Sequence, residues 1–158
     1  MNELPLIETW DQLGMVLPAF AVRCGAAALC GAMIGLEREL KRKPAGFRTN
    51  ILICVGAAIY MSTGLLLVHA AGEEGDPARI AAQVVTGVGF LGAGSIIQAG
   101  GAVTGLTTAA TIWVVAGIGL VAGAGFPLLA VCAALLVLAA LVVLGRFERR
   151  VLDTESPR

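Results

Sequence analysis

Residues 76–94, D-P-A-R-I-A-A-Q-V-V-T-G-V-G-F-L-G-A-G, contain the pattern from which the fold class can be read. Asp76 is a favourable N-cap residue, and Pro77 suits the first helical turn, where its missing N–H costs nothing. The remainder is apolar and rich in glycine. In water each glycine would weaken a helix by roughly 1 kcal/mol relative to alanine, whereas in a bilayer glycines let helix backbones approach closely. The stretch predicts a helix, and the composition of the surrounding chain indicates whether that helix lies in water or in a bilayer.

The composition is that of a membrane protein. The chain is 58% hydrophobic and 14% charged, with a mean hydropathy of +0.88, whereas soluble domains carry about 25% charged residues. No Asp, Glu, Lys or Arg lies between Arg79 and Arg146, and that interval holds about three spans of ~20 residues. We therefore predict an all-α, polytopic bundle of about five transmembrane helices. The acidic N-terminus also predicts that no cleavable signal peptide is present.

Apolar runs divide the chain into five predicted spans, at about 19–36, 51–68, 80–97, 106–122 and 128–144. The sequence allows two positions for the start of the first span. Either one span covers the whole apolar run, or residues 2–17 form an interfacial helix and Arg23 reaches the membrane edge from a span that begins near Ala19. We favour the second interpretation. It gives a polar or interfacial segment at 1–18, a transmembrane domain at 19–145 and a short tail at 146–158.

Basic residues predict the orientation. Five of them follow the first span, and Arg146, Arg149 and Arg150 closely follow the fifth, but only one follows the second span. The positive-inside rule then places the first loop and the C-terminus in the cytoplasm and the N-terminus outside. The run Lys41–Lys43 is more often topological than specific, although its charge also attracts anionic lipid by about 1 kcal/mol per residue. We expect the lipid bilayer as a partner and no nucleic acid, because no other basic face exists.

Signals for catalysis and cofactors are weak. Residues 87–92 match the dinucleotide motif G-x-G-x-x-G, but a helix cap rather than a strand precedes them and no acidic residue follows until Glu148. The one histidine, His69, lies at the end of a span without a nucleophile beside it. The four cysteines lie in apolar runs without paired spacing, which favours packing roles over disulfides or zinc. We predict neither an enzyme nor a bound cofactor or metal.

Polar residues gather at both predicted membrane boundaries. Glu37 shares a helix face with Arg23, and it either forms local ion pairs at a wet helix end or joins a polar site with residues 48–50. At the other boundary, Asp76 and Arg79 form either a cap with a local ion pair or, with Gln83, a functional constellation. The threonines of the fourth span, at 104, 107, 108 and 111, either bond their own helix or line a polar crevice facing the third span.

Five ordered motifs resemble those of the MgtC/SapB membrane family: I-G-L-E-R-E (34–39), A-G-F-R-T-N (45–50), D-P-A-R-I-A-A-Q-V (76–84), G-V-G-F-L-G-A-G (87–94) and G-L-T-T-A-A-T-I-W-V (105–114). The resemblance implies a bacterial inner-membrane protein linked to survival under magnesium limitation and in the phagosome. Well-known members are thought to restrain the F-type ATP synthase, which is therefore an expected partner. We expect the short SapB-like form, without the C-terminal ACT-type domain.

Two functions follow as hypotheses. The first is a non-enzymatic regulator in magnesium homeostasis and membrane energetics, which acts through contacts with membrane proteins and forms a homodimer. The second is a cation channel or transporter for Mg²⁺ that works as an oligomer. The functional polar residues implied by the resemblance are Glu37, Arg38, Arg48, Thr49, Asn50, Asp76, Arg79, Gln83, Thr107, Thr108 and Trp113. The predicted helix-packing residues are Gly31, Gly35, Gly87, Gly89, Gly92, Gly94, Gly119 and Gly123.

Overall fold

The computed structural model describes residues 10–70, 75–99 and 102–152. It contains five helices and one small hairpin in the order α1 (Trp10–Leu40), α2 (Phe47–Ala70), α3 (Pro77–Gly94), β1 (Ile97–Ala99), β2 (Ala102–Thr104), α4 (Leu106–Gly123) and α5 (Pro127–Leu152). The predicted all-α bundle is confirmed. The helix α1 runs unbroken through Pro18, so no break separates an interfacial segment from a span within the described residues.

Within the described residues, four helices are long and apolar enough to cross a membrane: Val16–Leu40, Phe47–Ala70, Leu106–Gly123 and Pro127–Phe147. The helix α3 is not among them. It has 18 residues, as many as α4, but it carries Arg79 and Gln83, whereas α4 contains no ionisable side chain, so α3 is less apolar. Four of the expected spans therefore have structural support, while the orientation of the bundle stays a prediction.

The end of α3 differs from the prediction. We expected the third span to continue to residue 97, but α3 ends at Gly94, where the Ser95 backbone N–H and hydroxyl both donate to the Gly92 carbonyl, at 3.0 and 2.7 Å. The segment between the third and fourth predicted spans contains an antiparallel hairpin in which Ile97 pairs with Thr104. The apolar pattern alone could not locate this end, because Ile96 and Ile97 extend it beyond the helix.

Contacts between helices fix their relative directions. The helix α1 is antiparallel to α4, since Arg38 contacts Thr108 whereas Arg23 contacts Gly123. It is also antiparallel to α2, since Gly35 lies against Phe47 and Gly31 lies against Asn50. We call the end with the 41–46 loop, the hairpin and the start of α4 the basic end. The end where α2 and α4 finish and α3 and α5 begin is the opposite end. The basic end is the one predicted to be cytoplasmic.

The helix α4 lies at the centre and packs against all four other helices. Ten of its 18 residues are buried, and it contains no ionisable side chain. The main core cluster is built from small and branched apolar residues of α1, α2, α4 and α5: Ala27, Cys30, Ile34, Cys54, Ala58, Val115, Ile118, Ala122, Ala130 and Ala134. Small side chains dominate because the helix backbones approach closely.

Glycines create the closest helix contacts. A Cβ on Gly31 or Gly35 would come within 3 Å of the α2 backbone, and a Cβ on Gly123 would meet the backbone of Ala58 at 2.5 Å. Gly119 faces the carbonyl of Cys54 in the same way. No larger residue fits at these positions without moving a helix, so the close packing of α1 and α4 against α2 depends on these four glycines.

Candidate functional site

The last turn of α1 carries a buried charged cluster at the basic end. Glu37 and Arg38 are only 8% and 3% exposed. The Glu37 carboxylate lies 2.5 Å from the Lys41 ammonium and 3.9 Å from the Arg38 guanidinium. Arg38 Nη2 also donates to the Thr108 hydroxyl at 3.3 Å, which ties the end of α1 to the start of α4. The predicted local ion pairs of Glu37 are therefore present, but Glu37 and Arg38 are buried rather than surrounded by water.

Asn50 is a second buried polar group at this end, with no exposed surface. Its amide nitrogen donates to the carbonyls of Ala45 and Gly46, at 2.9 and 2.8 Å, and so fixes the loop that leads into α2. Its position beside Gly31 and Gly35 indicates a role in docking α2 onto α1. Its Oδ1 has no hydrogen-bond partner in the described part of the chain.

Arg48 and Thr49 lie apart from this cluster. Both are exposed on α2, beside a separate pocket that Glu39 also lines. Glu39 accepts a hydrogen bond from the Phe47 backbone N–H at 2.9 Å and so caps the start of α2. The structure brings Asn50 close to α1 but does not bring Arg48 and Thr49 to Glu37.

A crevice with two chambers opens at the basic end, and we call it the basic crevice. The larger chamber, about 910 Å³, lies between α1, α4 and α5, and the smaller one, about 470 Å³, lies between the 41–46 loop, the hairpin and the start of α4. The chambers share four lining residues, Arg38, Arg42, Lys43 and Thr107. None of the described residues that line either chamber is acidic.

The start of α4 faces the smaller chamber. Gly105 is its N-cap residue, with φ +92°, and no side chain caps the helix there. Gly105 is required because its left-handed backbone lies against the Ser95 carbonyl, where any Cβ would collide. The first N–H groups of an uncapped helix and its dipole favour an anion, so cations are unfavourable neighbours.

The threonines divide between the two interpretations. Thr111 donates to the Thr107 carbonyl at 2.7 Å, as expected for a hydroxyl that bonds its own helix. Thr107 and Thr111 line the larger chamber, and Thr104 lines the smaller one. The polar crevice thus exists, but α1, α5 and the basic loop form its other walls instead of the glycines of α3. Trp113 lines neither chamber and is 54% exposed.

At the opposite end, side chains of α1 and α2 cap the C-terminus of α4 with hydrogen bonds. The carbonyl of Gly123, its last residue, accepts from Arg23 Nη1 at 3.2 Å and from the buried Ser62 hydroxyl at 3.0 Å. A cation is favourable at a helix C-terminus. Sequence reasoning assigned Arg23 to the membrane edge and overlooked Ser62. A basic residue isolated within an apolar run was the signal that could have pointed to a helix terminus.

The predicted constellation of α3 borders an open groove. Asp76 accepts from the Ala78 backbone N–H at 2.9 Å as the N-cap of α3. Asp76, Arg79 and Gln83 are all exposed and line a groove of about 890 Å³ between α2 and α3. The described ion pairs do not include one between Asp76 and Arg79. We call this feature the α2–α3 groove.

The glycines of α3 lie mostly outside the bundle. A Cβ on Gly87, Gly89 or Gly94 would meet no atom within 4 Å, while one on Gly92 would make ordinary contact with Ala109. Phe90, within this stripe, is 82% exposed. Gly87, Gly89 and Gly94 therefore have no packing partner among the described residues. Their predicted role in helix packing stays a prediction, and it would require a second chain.

The middle of the bundle is apolar. Every buried residue that the structure describes between the Arg23–Ser62 layer and the Glu37–Arg38–Asn50–Thr108–Thr111 layer is apolar. Within the described ranges, no group of three His, Cys, Asp or Glu side chains is placed to hold a metal ion. The described buried side chains between the two layers therefore carry no oxygen ligand for a hard cation.

Comparisons with known proteins agree with the motifs. A sequence profile of the MgtC family matches residues 25–150. Protein MgtC of Salmonella typhimurium strain LT2 is 44% identical over 103 residues, covering 65% of this chain and 42% of its own. The putative magnesium transporter YhiD of Escherichia coli K12 is 53% identical over 95 residues, covering 58% and 44%. Protein MgtC of Brucella abortus is 46% identical over 99 residues, covering 62% and 40%. The chain thus spans less than half the length of these relatives. No solved structure matches it.

Proposed function

Since the chain belongs to the MgtC family, we propose that this magnesium-related membrane protein acts as a non-enzymatic regulator, through contacts with other membrane-embedded chains, in a bacterial inner membrane. The name of the Escherichia coli relative, a putative magnesium transporter, supports the link to magnesium. The observation that carries the choice of a regulator over a transporter is the apolar middle of the bundle. Among the described residues of a single copy, the buried side chains between the two polar layers carry no oxygen ligand for Mg²⁺.

The α2–α3 groove is the proposed contact surface. Arg79 and Gln83 are exposed on a helix whose neighbours span a membrane, and unpaired polar groups are costly in lipid. Gly87 continues the same groove and presents bare backbone, which favours close approach by another helix. A helix of a second copy is the occupant that we propose, and another membrane protein, such as the F-type ATP synthase implied by the family resemblance, is the alternative.

Site-specific photo-cross-linking tests this surface. A photoreactive residue at position 83 is expected to give a discrete adduct of twice the monomer mass in native membranes. The matched control is position 136, because Leu136 is 73% exposed on α5. If position 83 instead gave a discrete adduct heavier than twice the monomer mass, the occupant of the groove would be another protein and not a second copy. Equal adducts from both positions, or none from position 83, would contradict the contact surface.

The transporter hypothesis is tested separately. It has its own support, because the Escherichia coli relative is named a putative magnesium transporter and the α2–α3 groove could contribute to a path between copies. Proteoliposomes containing the chain and an internal Mg²⁺-sensitive dye are expected to show no more Mg²⁺ entry than empty liposomes. Entry that Asp76→Asn or Glu37→Gln abolishes would favour the oligomeric transporter, and would count against the regulator.

A further inference from the structure

The basic crevice holds an excess of positive charge that the described residues do not neutralise. Four cationic side chains, Arg38 and those of residues 41–43, line it, and the carboxylate that contacts them in the described part of the chain is that of Glu37. Neither Arg42 nor Lys43 forms an ion pair with a described residue. The uncapped start of α4 adds the positive end of its dipole.

Arg38 gives an independent indication of a ligand. Its side chain is 3% exposed, it lines both chambers, and its Nε has no hydrogen-bond partner among the described residues. A buried guanidinium donor without a partner is costly. A phosphate oxygen is a suitable acceptor because guanidinium groups bind phosphate with their fixed, forked donors.

The larger chamber adds a requirement for an apolar group. The Lys41 ammonium donates to the Leu141 carbonyl at 3.2 Å, and around it the chamber is lined by apolar side chains such as Val114 and Val137. From 137 to 144 it follows α5 for roughly 10 Å. An inorganic anion would occupy the polar chamber and leave this apolar channel empty. A ligand with a phosphate at one end and a hydrocarbon chain at the other matches both chambers.

From this arrangement we infer that the basic crevice is a binding site for one anionic phospholipid. Its phosphate binds Arg38, Arg42, Lys43 and the first N–H groups of α4, while an acyl chain lies in the channel between α4 and α5. Basic pockets between transmembrane helices recognise lipid headgroups in this way. The site is distinct from the α2–α3 groove and does not depend on the proposed contact function.

Native mass spectrometry of the full chain in mild detergent tests the site. We expect one molecule of phosphatidylglycerol to be retained at an at least about tenfold lower concentration than phosphatidylcholine. The variant with Arg42→Gln and Lys43→Gln changes two exposed side chains, so folding should persist. It is expected to weaken phosphatidylglycerol retention about 30-fold, on the basis of about 1 kcal/mol per basic residue.

The matched control is Arg48→Gln, which removes an exposed cation at the same end but outside both chambers. It is expected to change retention by less than about twofold. Ala140→Phe, which fills the apolar channel, is expected to weaken phosphatidylglycerol binding several-fold. Equal retention of both lipids, or an Arg48→Gln loss as large as that of the double variant, would overturn the site. Phosphatidylglycerol retention that Ala140→Phe does not change, together with binding of inorganic phosphate, would show a free-anion site and contradict the phospholipid.

Discussion

The helices α3 and α4 have the same length and similar compositions, but the bundle uses them differently. Each has 18 residues and is rich in glycine and β-branched residues. The helix α4 packs against all four neighbours and buries ten residues. The helix α3 packs against α2 and α4, and Gly92 is its one buried residue in the described structure. A glycine-rich apolar helix therefore does not reveal from its own sequence whether its bare faces are filled.

The difference has a functional meaning. The backbone of α2 occupies the space beside Gly119 and Gly123 of α4, so the role of these glycines is to hold the monomer together. Gly87 and Gly89 of α3 have open space beside them, together with exposed Arg79 and Gln83. The central helix serves the fold, and the peripheral one is available for contacts outside it. Four substitutions test this contrast, in decreasing order of expected effect on stability.

The largest effect is expected for Gly119→Ala in α4. The added methyl group would collide with the Cys54 carbonyl and separate α2 from α4, so the free energy of unfolding should fall by about 3 kcal/mol. The control is Gly117→Ala in the same helix, where a Cβ meets nothing within 4 Å and the unfolding free energy should rise by up to about 1 kcal/mol. Unfolding titrations with a denaturing detergent measure both. Similar values for the two variants would contradict the close α2–α4 contact.

A smaller loss of stability is expected when the hydrogen bonds to the C-terminal carbonyl of α4 are removed. Arg23→Met removes the charged donor to the Gly123 carbonyl while it keeps an apolar stem, and should cost about 2 kcal/mol. Arg23→Lys retains a cation near the helix C-terminus and should recover at least half of that loss. The same titration compares them. If Arg23→Met were as stable as the parent chain, the Ser62 hydroxyl alone would suffice to close α4.

The N-cap of α3 should contribute less. Asp76→Ala removes the acceptor for the Ala78 N–H and is expected to cost about 1 kcal/mol, with faster amide hydrogen exchange confined to the first turn of α3. Asp76→Asn keeps a capping oxygen and should exchange at nearly the parent rate. Exchange that spreads into α4 in the Ala variant would show that α3 supports the bundle more than its few buried contacts indicate.

The smallest effect on stability is expected for Gly87→Ala in α3. The position is open, so the unfolding free energy should not decrease. If a second copy packs against this face, the same methyl group should reduce the cross-linked dimer formed from position 83 several-fold. Sedimentation or mass measurement in nanodiscs provides a second reading of the dimer. Unchanged cross-linking would remove Gly87 from the contact surface.

Much of the fold could be predicted from apolar runs and caps. The five helices, the Asp76 cap and the glycine contacts of α1 and α4 follow from local patterns, because segment length and small-residue spacing act within one helix. The hairpin at 97–104 was missed, since Ile96 and Ile97 continue the apolar run that precedes it. The end of α3 at Gly94 depends on hydrogen bonds of Ser95 that a hydropathy pattern does not register.

The candidate sites were less predictable, because they join residues far apart in the chain. Glu37 and Arg38 were selected from a motif, but their contact with Thr108 crosses 70 positions. The pairing of Arg23 with Gly123 crosses 100. Periodicity places a residue on a face of its own helix and carries no information about which helix that face meets.

The sequence by itself determined the class of protein and its helices. The uncharged interval from 80 to 145 holds apolar segments of bilayer length, and in a bilayer such segments are helical because a helix satisfies its own backbone hydrogen bonds. Only the tertiary structure decided which glycine-rich helix became central, where the unpaired positive charge collected and which groove stayed open. The physical reason is that hydrophobicity and helix formation are local properties. Close packing and the pairing of buried charges are properties of two surfaces, and they exist only when both surfaces are in place.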